Sequence, residues 1–509
     1  MSTSPSGAPA GEPATEGAPD RHRWWGLVVI ALAQLMVVLD ATIVNIALPS
    51  AQRDLDISNA DRQWVITAYT LAFGGLLLLG GRIADRVGRK RTFVIGLIGF
   101  AAASGLGGAA VSSGMLFGAR ALQGVFAALL APSALSLLTT SFIDPKERAR
   151  AFGVYGAIAG GGAAIGLIMG GVLTEFLSWR WCLYVNVPIA AIAVFGALWL
   201  LHDRPGHRDS RLDVPGVVLG CGGLVAIVYG FNEAEPRGWG DPLVLGLLLG
   251  GVALLAVFVW WQGRAPHPLL PLHVIRERNR AGCFLTMALV TIGLFGTFLF
   301  LTYYLQTVLG YSPLKAGLAF LPMTAAIIIG STQVSARLMQ HVPPRTLMVP
   351  GLIVAAAGLT ILTQLTVHAE YATHVLPAEL LLGLGMGTTF MPVMATATQG
   401  VAPRDAGVTS ATVNTSQQVG GSIGTALLNT IATSSATAYV ASRLTPAEAR
   451  DPAAVARLTN VGVVHGYTVA IWWAVGIMLL AAVIAGTMVT GRPQRQPTPS
   501  GRPLGEAAS

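Results

Sequence analysis

The sequence predicts an all-α polytopic membrane protein with fourteen transmembrane helices. They are expected to form two parallel six-helix bundles with two further helices inserted between them. Three observations carry this. Only 11% of the 509 residues are charged and 53% are hydrophobic, whereas a soluble domain carries roughly 25% charged residues on average. Apolar runs of spanning length recur along the whole chain. Between them, short basic clusters alternate with loops poor in Arg and Lys. A transmembrane barrel would alternate polar and apolar residues over strands of about ten, and no segment does so.

Residues 1–22 are rich in Pro, Gly, Ala, Ser and Thr and read as a disordered tail. The first apolar run, 24–48, is too long for a signal-peptide core and lacks a well-placed small-residue cleavage site, so it reads as a retained helix. Further spans follow at 64–82, 93–113, 115–138, 152–174, 183–201, 214–231, 242–262, 281–304, 315–336, 347–366, 376–398, 409–432 and 464–489. The largest segment outside them, 433–463, reads as an Ala-rich outer loop, and 491–509 as a second disordered tail. With the N-terminus inside, 23 of the 32 Arg and Lys fall in inside segments and 9 in outside loops and helix ends. That asymmetry places both termini in the cytoplasm.

The halves echo each other. GRIADRVGRK (81–90) ends the second span and ARLMQHVPPR (336–345) ends the tenth; IDPKERARAFG (143–153) leads into the fifth and VAPRDAGVTSA (401–411) into the thirteenth. Equal offsets in the same orientation predict parallel repeats: a bundle at 23–202, two inserted helices at 203–263 and a second bundle at 264–490.

Composition also excludes whole classes. The net charge of +8 is dispersed between apolar runs instead of gathered on one face, so nucleic acid is not a partner. Cys182, Cys221 and Cys283 are odd in number and far apart, which argues against a disulfide framework or a Cys-based metal site. Only Lys90, Lys146 and Lys315 are lysines, and none follows the glycine of a P-loop. No clustered His, Asp and Glu site marks an enzyme. No metal or cofactor is expected.

Several stretches carry a mechanism. In GGRIADRVGRKR (80–91), five bases surround Asp85 while Gly80, Gly81 and Gly88 allow a tight turn. GRIADRVGRK resembles the loop motif of the major facilitator superfamily. LDATIVNIALP (39–49), RALQGVFAALLAPS (120–133) and SWRWCLYVNVP (178–188) resemble further motifs of its fourteen-helix drug:proton antiporter branch. The resemblance runs from about residue 24 to 489. It implies a cytoplasmic gate of Gly81, Asp85, Arg86, Gly88 and Arg89, with Asp85 accepting from helix ends and the bases meeting Asp144 or Glu147.

Asp40 lies nine residues before Pro49, roughly 13 Å below the outer end of its helix. A carboxylate there needs a partner, a proton or water. Arg120 lies at similar depth, stays charged when buried and needs an acceptor. The two are expected to pair as a proton-coupling site, completed by Gln123 and Asn45. A structural hydrogen bond for Asp40 and a snorkelling Arg120 are the alternatives. In the fifth span Gly162, Gly166, Gly170 and Gly171 leave one face nearly bare for close packing. The branch's antiporter motif has a proline where this chain has Leu167, so the expected kink is missing.

Glu379 lies near the outer end of its helix, a place that suits a solvated terminus, with the translocation path as the alternative. Glu175 reads as interfacial and His465 as structural. Asn414, Gln417 and Gln418 either line the path or bond helix to helix. No acidic residue falls in 315–336, which favours neutral, monocationic or anionic amphiphiles over dications. The whole reads as a monomeric cell-membrane exporter of lipophilic small molecules, driven by the proton gradient. A metabolite importer and a non-transporting sensor or scaffold are the alternatives.

Overall fold

The computed structural model of the protein describes residues 23–142, 145–201, 213–266, 268–339, 341–399, 401, 406–445 and 448–490. The expected tails 1–22 and 491–509, Asp144, Gln340 and the side chain of Asp85 lie outside the described residues. Among the described residues every regular element is a helix.

Helix α1 (Arg23–Asp54) leads through a short turn to α2 (Trp64–Val87). Gly88 alone separates α2 from α3 (Arg89–Gly108), and its φ of 109° is a conformation that side chains resist. α4 (Ser113–Ser141) is capped by Ser112, whose hydroxyl accepts from the Met115 amide at 3.3 Å. α5 (Pro145–Phe176) follows. The helix expected at 183–201 is broken into α6 (Trp181–Tyr184) and α7 (Asn186–Leu200). Pro188 has no N–H to give the Tyr184 carbonyl, so a continuous helix would lose that bond.

α8 (Val214–Arg237) and α9 (Pro242–Gln262) form a hairpin, each opened by an Asp cap and a first-turn proline. The short α10 (Leu272–Arg276) precedes α11 (Arg278–Tyr303). The span expected at 315–336 is segmented into α12 (Pro313–Ala319), α13 (Leu321–Ile329), a π turn at Gly330–Ser335 and α14 (Ala336–Leu338). Pro322 interrupts the ladder at the first break.

α15 (Arg345–Leu362), α16 (Leu376–Thr398), α17 (Ala406–Arg443) and α18 (Pro452–Met488) complete the chain, with a π turn at Tyr371–Val375 continuing directly into α16. The segment 433–463, expected as a loop, is mostly helical. Its alanines favour helix, and Asp451 caps α18 by accepting from the Ala453 amide at 2.9 Å.

Twelve helical stretches among the described residues are long and apolar enough to cross a membrane. α17 is too polar to count among them, and α5 contributes only the shorter apolar stretch Gly161–Phe176. Only 11% of the apolar window of α9 is buried, against 61% for α1, so α9 is peripheral. Leu249, Val252 and Trp260 of α9 and Ile192, Phe195 and Trp199 of α7 are exposed, as lipid-facing residues should be. We call the end with Arg23 and Gly88 proximal, and the end with Asp54 and Arg62 distal.

One apolar core gathers Met36, Phe93, Phe100 and Leu138 from α1, α3 and α4. A larger one centres on Phe300, Met348 and Met478 of α11, α15 and α18. Two contacts chiefly join the first half of the chain to the second: α2 with α17, and α5 with α12.

Candidate functional site

Asp40 and Arg120 meet in the interior, 0% and 1% exposed. Arg120 Nη1 donates to Asp40 Oδ2 at 2.6 Å and to Gln123 Oε1 at 2.8 Å, and Nε donates to the Val65 carbonyl at 2.9 Å. The other carboxylate oxygen, Oδ1, accepts from Gln123 Nε2 at 2.9 Å and from Asn186 Nδ2 at 2.8 Å. Gln123 and Asn186 also donate to the Ser104 hydroxyl, at 2.6 and 3.2 Å. The guanidinium lies 4.5 Å from the centroid of the Tyr69 ring.

Five helices therefore converge on one carboxylate, which faces donors only. α1 supplies Asp40, α2 supplies Val65 and Tyr69, α3 supplies Ser104, α4 supplies Arg120 and Gln123, and α7 supplies Asn186. Removing one partner of such a buried pair costs ~3–5 kcal/mol, because the other charge is left uncompensated.

Asn45 is not part of this cluster. Five residues after Asp40 it has turned about 140° around the helix, and its amide donates to the Ala41 carbonyl at 2.7 Å. Asn186 takes the place expected of it. Sequence reasoning passed over Asn186, although the residue stands inside SWRWCLYVNVP. The signal was the proline two residues on, which ends one helix and lets Asn186 begin the next. The Trp179 and Arg180 of the same stretch hold Asp54 at the distal end of α1, Trp179 Nε1 donating at 3.0 Å.

The glycines of α5 run along α1 beside Asp40. Gly162 faces Leu35 and Val38, Gly166 faces Thr42 and the Leu39 carbonyl, and Gly170 faces Ile43. Gly171 and the Leu167 carbonyl abut α12 instead, at Leu314 and Gly317. No side chain fits between these backbones. Glu175, expected at an interface, accepts from the Leu314 amide at 3.0 Å at the same junction.

A second buried cation lies at the distal end. Arg62 is 4% exposed, and no described carboxylate lies within ion-pair distance of it. Its Nε donates to Asn429 Oδ1 at 3.1 Å and its Nη1 to the Tyr467 hydroxyl at 3.4 Å. The guanidinium stacks 4.0 Å from the Tyr303 ring centroid. Asn429 Nδ2 donates in turn to Gln63 Oε1 at 2.8 Å. From this knot a ladder descends between α2 and α17, through Thr67–Thr425 and Thr70–Ser422, both 2.7 Å, to Gly74 against Gln418. Gln306 adds a bond to the Ile46 carbonyl at 2.9 Å. The distal end is closed.

The proximal end is held differently. Arg82 donates to the Pro268 carbonyl at 2.8 Å and Lys90 to the Leu198 carbonyl at 2.9 Å. Gly81 lies beside Pro132, Arg86 is exposed and Arg89 half-buried. Glu147 is bonded by Arg23 at 2.7 Å. An apolar cleft of about 570 Å³, lined by Trp24, Val28, Ala31, Leu35, Val154 and Ile158, opens between the proximal parts of α1 and α5.

Glu379 corrects another expectation. It is 0% exposed, not solvated, because the π turn at Tyr371–Val375 prolongs the helix above it. Asn414 donates to the Ser410 carbonyl of its own helix at 3.0 Å, Gln417 is half-buried, and the Gln418 Oε1 is buried without a partner. His465 lies 4.5 Å from Tyr439, ring to ring.

A bundle of spanning helices with a buried ion pair at its centre defines a polytopic membrane protein. A family model described as the Major Facilitator Superfamily matches residues 30–425, and the chain belongs to that family. A puromycin resistance protein of Streptomyces alboniger is 58% identical over 96% of this chain and 95% of its own length. A cephamycin export protein of Amycolatopsis lactamdurans is 41% identical over 80% and 84%, and a tetracenomycin C resistance and export protein of Streptomyces glaucescens 36% identical over 85% and 80%. The fold is shared with a bacterial homologue of the human lysosomal transporter Spinster at a TM-score of 0.64 and 17% identity, covering 91% of this chain and 96% of that one.

Proposed function

We propose that the protein is a proton-driven exporter of lipophilic small molecules, such as an antibiotic, working by alternating access between two six-helix bundles. The bundles would be residues 23–202 and 264–490, with α8 and α9 as an inserted pair. α5 and α17 would complete fourteen spans, and both termini would be cytoplasmic, which makes the distal end the outer one. The protein would act as a monomer and use no cofactor. The names of its relatives support export of antibiotics. The apolar cleft beside α1 and α5 would suit a lipophilic molecule arriving from the cytoplasmic side.

One observation carries the proton reading: Asp40 accepts from three donors and faces no acceptor. A proton on the carboxyl would meet another donor in every direction, so at least one bond must break. Arg120 would lose its counter-charge but keep the Val65 carbonyl and Gln123 Oε1 as acceptors. Protonation thus frees α1 from α4 and α7 without stranding the guanidinium. Because α5 lies backbone-to-backbone on α1 and also on α12, a shift of α1 reaches the junction between the halves.

The test is export by inverted membrane vesicles carrying an imposed proton gradient, with puromycin as the first probe and wild type beside Asp40→Asn. Wild-type uptake should collapse when the gradient is dissipated, and Asp40→Asn should lose it at least tenfold. Equal gradient-driven uptake by both would remove Asp40 from the coupling.

A further inference from the structure

Glu379 is the one carboxylic acid among the described residues that is fully buried and has no cation beside it. Arg120 balances Asp40, whereas Glu379 Oε1 has no hydrogen-bond partner at all. Its Oε2 contacts a single group, the Tyr371 hydroxyl, at 3.2 Å. That hydroxyl has one proton, and the Ala319 carbonyl lies closer to it, at 2.7 Å. A carbonyl only accepts, so the phenolic proton belongs to Ala319. The Tyr371 oxygen is then left with lone pairs facing Glu379, and the contact becomes a hydrogen bond only if the carboxyl donates.

The surroundings agree. Of the elements packed on α16, α13 and the π turn at Gly330–Ser335 carry no titratable side chain. α15 carries only Arg345, at its far end, and α11 carries Arg278, Arg280 and Cys283 at its far end and Tyr303 at the near one. α17 carries Tyr439 and Arg443 beyond the bundle, and the π turn before α16 carries Tyr371 and His374. Of these groups only the Tyr371 hydroxyl lies within hydrogen-bond distance of Glu379. The helix start offers no amide either, since the Leu376 N–H is already bonded to the Tyr371 carbonyl. An ionised carboxylate in this place would be strongly disfavoured, with neither water nor a cation to compensate its charge.

We infer that Glu379 is a second reversible proton-binding site, in the half of the molecule opposite Asp40, and that it holds its proton while the distal end is closed. Tyr371 is the contact that reports on it. This hydroxyl ties the π turn to α12 through Ala319, and α12 is the element on which α5 packs. On this side Lys315 lies over the Tyr311 ring at 3.8 Å, and Tyr311 lies next to Tyr371. If α12 parts from α5 and draws Ala319 away, the Tyr371 proton is free to turn to Glu379. The carboxyl can then release its own proton to the distal side, leaving a carboxylate hydrogen-bonded by the phenol. Use of this proton in transport rests on the proton-driven reading above; its presence does not.

The experiment is infrared difference spectroscopy of the purified protein over a pH titration. It reads the carbonyl stretch of protonated carboxylic acids directly. A band from a buried acid should be present in wild type and in Asp40→Asn, absent in Glu379→Gln, shifted in Tyr371→Phe, and diminished as pH rises. Glu379→Gln keeps the shape of the side chain, and its melting temperature reports whether it folds. A folded Glu379→Gln with the wild-type spectrum, or a Glu379 band that no pH change alters while the protein stays folded, would overturn the inference. Loss of the band in Glu379→Gln together with full gradient-driven export by Asp40→Asn would keep the Glu379 site and sink the Asp40 reading alone.

Discussion

Of two asparagines in the first half of the chain, only one reaches the Asp40 carboxylate. Asn186 donates to Asp40 Oδ1 at 2.8 Å, while Asn45 is spent on its own helix. Replacing Asn186 by Ala removes one of three donors to a buried charge, worth ~1.5–3 kcal/mol. Proton-driven export by Asn186→Ala should then fall at least several-fold, with an altered pH–rate profile. Asn45→Ala should leave that profile in place. A pH–rate profile of vesicle uptake for the two variants separates these outcomes, and identical curves would remove Asn186 from the site.

The pairing of Asp40 with Arg120 was legible because intramembrane charges are scarce and depth can be counted along a helix. Asn186 was not, because its position depends on where the helix around Pro188 breaks. Glu379 was misread for a similar reason: the π turn that buries it has no pattern in the local sequence.

At the scale of elements, spans were legible from hydropathy and breaks were not. α12, α13 and α14 occupy a stretch that reads as one helix, since proline is tolerated in membrane helices and only packing decides whether it bends or breaks them. The glycines of α5 were legible as a packing face, but their two partners, α1 and α12, belong to tertiary structure. The α8–α9 hairpin has a fastening of its own. Asp213 accepts from the Gly216 amide at 2.9 Å, from Trp261 Nε1 at 2.7 Å and from Gln262 Nε2 at 2.7 Å.

Burial alone would push the Asp213 carboxyl up, but the bonds from Trp261, Gln262 and the Gly216 amide outweigh it and hold the pKa below its ordinary 3.8. A depressed folded-state pKa contributes stability that is fully present above the unfolded value, about 3.9. That contribution is lost as pH falls through the folded value. Asp213→Ala should therefore lower the melting temperature in detergent at neutral pH, through a lost cap worth about 1 kcal/mol and the two side-chain bonds. The gap from wild type should close only below about pH 3.9. A gap that widens on acidification would contradict this sign.

At the scale of the whole molecule, the two ends are fastened by different chemistry. The proximal end has a glycine turn and basic side chains on backbone carbonyls. The distal end has Arg62 buried between α2, α11, α17 and α18, with no carboxylate among the described residues in ion-pair distance. An ion pair there would have to be torn apart in a medium of low dielectric at each opening. An arginine held by Asn429, Tyr467 and the face of Tyr303 gives specificity with a weaker hold. Alternating access requires such a reversible closure.

Arg62→Ala removes two hydrogen bonds from a charged donor and a stacked cation, while the apolar contacts of α5 and α12 remain. Each ~1.4 kcal/mol lost from the closed state moves the population tenfold toward opening. A cysteine placed at Thr67, within the ladder between α2 and α17, should then react with an impermeant maleimide at least several-fold faster than in the Arg62 background. Cys182 and Cys283 are buried and Cys221 partly so, so the measurement uses a variant in which all three are replaced. Arg62→Lys should fall between the two, since an ammonium keeps the charge but loses the planar stacking and the fork. Equal labelling rates in the Arg and Ala backgrounds would mean that Arg62 does not hold the distal end shut, and that the threonine–serine ladder and the α5–α12 contact are enough to keep it closed.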